Sequence, residues 1–283
     1  TVKGWEEYDN VHGFFQGSTS MHPYDQINAH RALSFKNGSI YLTGAGEYIA
    51  IMDSNCDTDH NAFDQKKAAG LVKSYGAFTP DSAADHHCNA VAGFAAGEYD
   101  NTNDPDTIMG VAFEAGLHFA DWKSSTAINE TYWADYQANA INDASNYNAI
   151  AHNNSWGHPT NVSEMNVQIA NNPGFTTKQI LTTVLNGGAG SQNVSTDANA
   201  VASFDRYVAA LNNFQDHGII VFSLGNDTAE SDAGWNAGLP EWEPTLGEAW
   251  LSVGVFQNTG STLAAGTITR KGNPCGTTAP YCV

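Results

Sequence analysis

The chain has 283 residues, of which 41% are hydrophobic, enough for the core of one large α/β domain or two small ones. Its formal net charge is −19, from 30 acidic against 11 basic residues, and such a polyanion repels phosphate backbones, so we expect no nucleic-acid partner. No apolar run approaches the roughly 20 residues that a membrane-spanning helix needs, and we expect no membrane span in this chain.

The first part of the sequence, residues 1–46, is irregular and rich in glycine. One helical pattern runs from Tyr24 to Phe35, and we interpret residues 1–46 as an N-terminal extension whose helix packs on the core. Gly44-Ala45-Gly46 marks the boundary, and residues 47–283 form the main domain.

Beyond this boundary, short apolar runs alternate with segments of helical spacing. The runs predict strands at 48–52, 108–112, 118–120, 149–151, 219–223 and 249–256. The spacing predicts helices at 87–97, 131–147 and 199–217, while 65–75 has mixed helix or turn character. Wholly apolar strands separated by helices are typical of a mainly parallel, twisted sheet with helices on both faces. The predicted fold class is therefore α/β.

Polar residues follow several of the predicted strands. Asp53, the cluster 153–157 and Asn226 all come directly after an apolar run. In a parallel sheet the carboxyl ends of the strands share one edge, where function collects. We therefore expect these residues to contribute to a single active site.

Asp53 and His87 are the candidates for a catalytic pair. A carboxylate at a strand end either caps the next turn or orients a histidine, and a histidine is either a satisfied polar group or a proton carrier. His86 and His87 both open the helix at 87–97. Because a helix N-terminus disfavours an imidazolium, a carboxylate such as Asp53 would have to stabilise it. The order Asp then His is that of a hydrolase triad of order Asp, His, Ser.

The remaining candidates for this chemistry leave alternatives open. Asn226 either adopts a left-handed turn or donates its amide to an oxyanion. Ser155 and Ser261 are the candidate nucleophiles, and neither has a suitable setting. Ser155 lacks the Gly-x-Ser-x-Gly elbow, which also argues against an α/β-hydrolase esterase. Ser261 lies in a Gly/Thr-rich hairpin rather than at the start of a helix.

The four cysteines form an even number, which favours an oxidising compartment and thus an extracellular protein. Cys275 and Cys282 bracket a short loop, and we expect a local disulfide there. If Asp53 and His87 touch, Cys56 and Cys88 come within reach of each other, and the choice between a disulfide and two free thiols stays open.

The polar loop around Asp100, Asn103, Asp104 and Asp106 is a candidate Ca²⁺ site, since hard cations prefer several oxygen ligands at close spacing. It lacks the glycine and the closing glutamate of an EF-hand loop, and a solvated loop is the alternative. The proposed triad chemistry itself requires no cofactor.

Together these segments resemble the subtilisin-like serine proteases, in the same order. Tyr48–Ser54 resembles the strand that carries the catalytic Asp. His87-Cys88-Asn89-Ala90-Val91-Ala92-Gly93 is similar to the family's His-Gly-Thr-His-Val-Ala-Gly, which selects His87 over His86. Gly110–Ala115 resembles Gly-Val-Ala-Pro-x-Ala, with Phe113 in place of the proline. In that family the loop between these last two segments often binds calcium.

Two further segments extend the resemblance. Asn154-Ser155-Trp156-Gly157 resembles the strand that binds the substrate backbone, and Leu224-Gly225-Asn226 resembles the block with the oxyanion-hole Asn. Four features resemble the autotransporter-type subgroup of bacterial surface proteases: the dipeptide Trp156-Gly157, Leu239-Pro240, the segment 250–255 and the closely spaced pair Cys275/Cys282. The resemblance implies a secreted or surface endopeptidase that acts on a peptide or protein substrate, with catalytic Asp53, His87 and Asn226.

One departure from the family concerns the nucleophile. The family's Gly-Thr-Ser block lies downstream of the last strands, and Val283 precedes that place. We therefore expect a peptidase domain that lacks its catalytic-serine segment and is incomplete at the C-terminus. Three explanations compete: a cleavage product whose serine lies on a companion C-terminal fragment, a partial chain, or a pseudoprotease that serves as a non-catalytic peptide-binding or structural surface protein. The start at Thr1, without a leader pattern, predicts a processed or trimmed N-terminus.

Overall fold

The computed structural model describes residues 29, 35–54, 56–76, 87–98, 109–122, 131–186, 194–258 and 267–283. The strands in chain order are β1 (Lys36–Asn37), β2 (Ile40–Tyr41), β3 (Tyr48–Asp53), β4 (Val72–Tyr75), β5 (Gly116–Asp121), β6 (Ala149–Asn154), β7 (Ile219–Ser223), β8 (Trp250–Val253), β9 (Phe256–Asn258) and β10 (Ile268–Arg270). The helices are α1 (Asp64–Ala68), α2 (His87–Ala96), α3 (Trp133–Asn146), α4 (Val162–Asn171), α5 (Thr177–Leu185) and α6 (Ala198–Gln215).

The central element is a six-stranded sheet with the order β4-β5-β3-β6-β7-β8. All five of its strand pairs are parallel, which confirms the predicted α/β class. From β3 the chain crosses to the edge strand β4 and returns with β5, which lies between β4 and β3. It then adds β6, β7 and β8 outward on the other side of β3, so the direction of strand addition changes next to β3. In open parallel sheets, such a switch point leaves a crevice at the carboxyl ends of the strands.

Strand β3 is buried on both faces, as its apolar sequence predicts. Successive side chains of a strand point to opposite faces. Ala50 and Met52 accordingly belong to the larger core cluster, which includes residues of α3 and α6, whereas Ile51 packs in a second cluster with residues of α2. The helices therefore cover both faces of the sheet and leave the ends of the strands as the accessible edges.

The strand predicted at 108–112 is wrong. Residues 111–114 form turns, and the N–H groups of Gly110, Val111 and Ala112 donate to carbonyls in and just after α2. A Cβ on Gly110 would lie 2.4 Å from the Ala96 nitrogen, so this apolar run packs directly on the end of a helix. The segment 65–75, in contrast, contains α1 and the edge strand β4. Its strand residues are only partly buried, which weakens the apolar signal.

Helices α4 and α5 lie in a region where no elements were expected from the sequence. Both begin with a capping box, formed by Asn161 with Glu164 and by Thr176 with Gln179. This pattern of a small polar residue followed three positions later by Glu or Gln is a helix-start signal that could have located both helices.

Most of the helix predicted from Tyr24 to Phe35 lies outside the described residues, although Ala29 is helical and buried. The division at residue 46 stays a prediction. Among the helices that the structure describes, none has the length and apolar character needed to cross a membrane.

Candidate active site

Asp53 and His87 meet at the carboxyl end of the central sheet. Asp53 is the last residue of β3, and His87 is the first residue of α2. Asp53 Oδ1 lies 2.8 Å from His87 Nδ1, and the same oxygen accepts the Ser54 N–H at 2.7 Å. The Asp53 side chain is 2% exposed and that of His87 is 48% exposed. A buried carboxylate thus holds an imidazole that reaches the surface.

This arrangement selects one tautomer of the histidine. An ionised carboxylate can only accept hydrogen bonds, so His87 Nδ1 carries the proton that points to Asp53. The lone pair is then on Nε2, which is the nitrogen that a general base uses in a triad. The pair can therefore take a proton at Nε2, and the carboxylate stabilises the charge that results.

Two adjacent links hold the segment after β3 against the first turn of α2. Cys56 and Cys88 form a disulfide with their Cα atoms 5.0 Å apart, which decides between the two alternatives for these cysteines. Asn89 accepts the N–H of Asp57 at 2.9 Å and donates to its carbonyl at 2.8 Å. Cys56, Cys88 and Asn89 are all buried. The sequence analysis missed Asn89, because nothing in a helical asparagine indicates its partner.

Side-chain contacts fix the segment that follows β6. The Asn154 side chain accepts the indole N–H of Trp156 at 3.2 Å and donates to the Val221 carbonyl on β7. Ser155 accepts from Asn153 at 2.9 Å. Trp156 stacks on Trp122 with the ring centroids 5.2 Å apart. These contacts fix the course of the backbone through 154–157.

The buried imidazole of His152 contacts the side chain of Asn154. His152 is buried in β6, and its Nδ1 lies 3.0 Å from Asn154 Nδ2. Burial, followed by the charge of nearby His118, lowers the pKa of His152 to about 3. His152 is therefore uncharged at neutral pH and accepts a hydrogen bond from the asparagine amide.

Asn226 follows a turn that requires glycine. Gly225 has φ +111°, and a Cβ there would lie 2.5 Å from Asn273 Oδ1. Asn273 accepts the Asp227 N–H at 3.0 Å, and its own N–H donates to the Gly225 carbonyl at 3.0 Å. Asn226 itself is exposed. Asn273 therefore holds the turn that presents Asn226, a role that its position in the Gly-Asn-Pro segment at 272–274 does not reveal.

A cavity of about 400 Å³ separates the segments that follow β6 and β7. Its lining includes Ser155, Trp156 and Gly157 on one side and Gly225 and Asn226 on the other. The strands β3, β6 and β7 are neighbours in the parallel sheet, in that order. The cavity and the Asp53–His87 pair therefore lie at the same end of the sheet, where these strands have their carboxyl ends.

The second disulfide, which the sequence predicts, lies in the loop near the C-terminus. Cys275 and Cys282 form a disulfide, with their Cα atoms 5.8 Å apart, beside β8. Asp232 anchors this loop, because its carboxylate accepts from the Thr277 N–H and from the Ser163 hydroxyl.

The candidate calcium ligands Asp100, Asn103, Asp104 and Asp106, and also Ser261, lie outside the described residues. Within the described ranges, no group of three His, Cys, Asp or Glu residues could hold a metal ion.

Comparisons with known proteins indicate the family of the chain. The profile of the subtilase family matches residues 44–282. No curated protein sequence matches the chain.

Among solved structures, the self-cleaved protease domain of PatA is 18% identical over 86% of this chain and 68% of its own, with a TM-score of 0.49. The S41 psychrophilic protease is 18% identical over 90% of this chain and 66% of its own, with a TM-score of 0.45. The PatG macrocyclase in complex with peptide is 13% identical over 93% and 71%, with a TM-score of 0.48. The chain thus spans about two thirds of the length of these proteins.

Proposed function

This chain belongs to the subtilase family, and we propose that it carries the aspartate and the histidine of a serine endopeptidase active site. One observation carries the proposal. The buried carboxylate of Asp53 lies 2.8 Å from His87 Nδ1 at the carboxyl end of the central strand. This is the relationship between orienting acid and general base that serine peptidases use for acyl transfer.

In the proposed reaction, a serine hydroxyl attacks the carbonyl carbon of the scissile peptide bond. His87 Nε2 takes the hydroxyl proton and then donates it to the leaving amine as the C–N bond breaks. Asp53 keeps the Nδ1 proton in place and stabilises the imidazolium. Water then attacks the acyl-enzyme, with His87 again as the base, and the serine hydroxyl is regenerated.

The serine is the part of the triad that we assign to sequence outside residues 1–283. Ser155 is a poor alternative, because it lies among anchored side chains and its oxygen accepts from Asn153. A companion C-terminal fragment or continuous sequence after Val283 would both supply the nucleophile.

Asn226 and the segment 154–157 take the remaining roles. The exposed amide of Asn226 would donate to the oxyanion, a contribution of about 3 kcal/mol to transition-state stabilisation in such enzymes. The backbone of 155–157 would pair with an extended substrate peptide, as an added strand. Both lie at the edge of the sheet where Asp53 and His87 meet.

We also propose that the protein acts outside the cell or at the bacterial cell surface, as an autotransporter-type member of the family. The two disulfides support an oxidising compartment. Calcium binding at Asp100–Asp106 stays a prediction, which a calcium titration followed by thermal melting would test.

A fluorophosphonate probe tests the proposed function on the native protein with all associated chains. We expect covalent labelling of one serine, located by peptide mapping, and loss of labelling in His87→Ala. His217→Ala is the matched control, since His217 is exposed and precedes β7 at the opposite edge of the sheet. Absence of labelling in a folded sample that contains the Gly-Thr-Ser block would contradict the protease and favour a non-catalytic peptide-binding protein.

A further inference from the structure

The cavity between the segments that follow β6 and β7 has a lining of a single charge sign. Asp227 and Glu230 are its acidic residues, and its described lining contains no lysine or arginine. His158 is the other titratable side chain there. The cavity therefore presents two carboxylates to whatever enters it.

Neither carboxylate is neutralised by a cation among the residues that the structure describes. Glu230 accepts from the Asn161 side-chain amide, and Asp227 accepts from the Ala229 N–H at 2.8 Å. Amide donors orient a carboxylate but leave its net charge in place. A cationic ligand could therefore supply the charged partner that these carboxylates lack among the described residues.

Arg270 is a cation close to this turn, but its hydrogen bonds go to main-chain carbonyls. Its guanidinium donates to the Gly272 carbonyl at 2.7 Å and to the Thr228 carbonyl at 3.1 Å. Arg270 does not line the cavity. The guanidinium holds the turn around Thr228, and within the described part of the chain no cation forms an ion pair with the acidic lining.

The rest of the lining suits the stem of a long side chain. Trp156, Pro159 and Leu224 contribute apolar surface, and Trp156 and Leu224 are themselves buried. Methylene groups of lysine and arginine pack on such surface while the charged end reaches polar groups. A volume of about 400 Å³ accommodates one such side chain.

We propose that this cavity binds the lysine or arginine side chain of the substrate residue whose carbonyl is attacked. The inference rests on the proposed function, because it uses Asn226 as the oxyanion donor. Asn226 forms part of the cavity wall, so a carbonyl held there brings the side chain of the same residue to the cavity. The excess of acidic residues over the whole chain also attracts cationic peptides.

Peptide substrates that differ only at this residue test the proposal on the complete, serine-containing protein. We expect kcat/KM for Arg and Lys to exceed that for Gln, Leu, Phe and Glu by about tenfold or more. Glu230→Gln keeps the shape of the side chain, and we expect it to remove most of this preference while values for Gln and Leu stay within about twofold. Asp227→Asn is the second variant. Glu248→Gln, at the amino end of β8, is the control with the same charge change.

Direct binding keeps this test separate from catalysis. We expect p-aminobenzamidine to bind the wild-type protein more tightly than neutral benzamide does, and Glu230→Gln to abolish the difference. If no peptide is cleaved but this difference is found, the proposed function fails and only the binding of a cationic group in the acidic cavity stands. If peptides are cleaved with a preference for Leu or Phe that Glu230→Gln and Asp227→Asn do not change, the cavity proposal is overturned and the protease stands.

Discussion

Asn89 binds the backbone of Asp57 through both atoms of its amide, accepting the N–H at 2.9 Å and donating to the carbonyl at 2.8 Å. The Cys56–Cys88 disulfide is directly adjacent. Because His87 immediately precedes Cys88, these links fix the distance between α2 and the segment that leaves β3. The contact between Asp53 and His87 therefore depends on Asn89 and on the Cys56–Cys88 disulfide.

We predict that Asn89→Ala lowers both the stability and the rate of fluorophosphonate labelling. The loss of two buried hydrogen bonds costs about 1–3 kcal/mol in the free energy of unfolding, and the loosened segment misaligns His87. Asn186→Ala is the matched control, since Asn186 also makes two side-chain hydrogen bonds, to the Ala134 N–H and the Thr182 carbonyl, which involve neither α2 nor the segment after β3. A labelling rate that falls equally in both variants at matched folded fraction would contradict a positioning role.

We predict that Asp53→Asn nearly abolishes turnover with little effect on substrate binding. An asparagine amide can donate to Nδ1, which stabilises the tautomer with the proton on Nε2 and removes the general base. The expected loss in kcat is about 10⁴-fold. Steady-state kinetics with one peptide substrate measures it. A loss confined to KM would show that Asp53 acts on substrate binding instead.

The buried His152 makes stability depend on pH. Its folded-state pKa is lowered to about 3 by burial and by His118, whereas an unfolded histidine titrates near its ordinary value. Between these two values only the unfolded chain binds the proton. The free energy of unfolding therefore keeps the full contribution of neutral His152 above about pH 6.5, and it falls as the pH is lowered toward 3. The expected loss is about 1.4 kcal/mol for each pH unit in this window.

Denaturant unfolding at a series of pH values from mildly alkaline to mildly acidic would measure this loss. We expect His152→Gln to give a shallower slope of stability against pH than the wild type, and His217→Gln, at an exposed position, to leave the slope unchanged. Equal slopes in His152→Gln and the wild type would assign the acid sensitivity to other groups, such as the buried His118 or the carboxylates.

The parts of this fold that could be predicted from the sequence are those in which local pattern and burial agree. The run Ile219–Ser223 is apolar and forms β7, and the amphipathic pattern at 199–217 forms α6. The pattern was misleading at 108–112, because apolar residues there pack on the end of α2 without forming a strand. Edge strand β4 was missed because its side chains are only partly buried.

The candidate site divides in the same way. Asp53 and His87 could be located because each lies at the boundary of a predictable element. Asn89 and Asn273 could not, since their roles depend on partners 32 and 46 residues away. The acidic cavity could not be predicted from the sequence either, because it lies between the segments after β6 and β7, which are distant in sequence.

Gly225 provides a test of how the turn presents Asn226. An alanine there meets two costs, the unfavourable φ of +111° and a Cβ that would lie 2.5 Å from Asn273 Oδ1. Gly46 has φ +87°, and a Cβ added there would have no atom within 4 Å, so Gly46→Ala meets only the first cost. We expect Gly46→Ala to lower stability by about 1–3 kcal/mol without changing labelling.

Gly225→Ala should lower stability further and also slow labelling, because a displaced Asn273 no longer holds the Asp227 N–H beside Asn226. Adding Asn273→Ala removes the clash, so the stability loss of the double variant should be smaller than the sum of the losses of the two single variants. Labelling should stay slow in the double variant, since the turn has lost its anchor. Additive losses, together with normal labelling in Gly225→Ala, would show that Asn273 does not position Asn226.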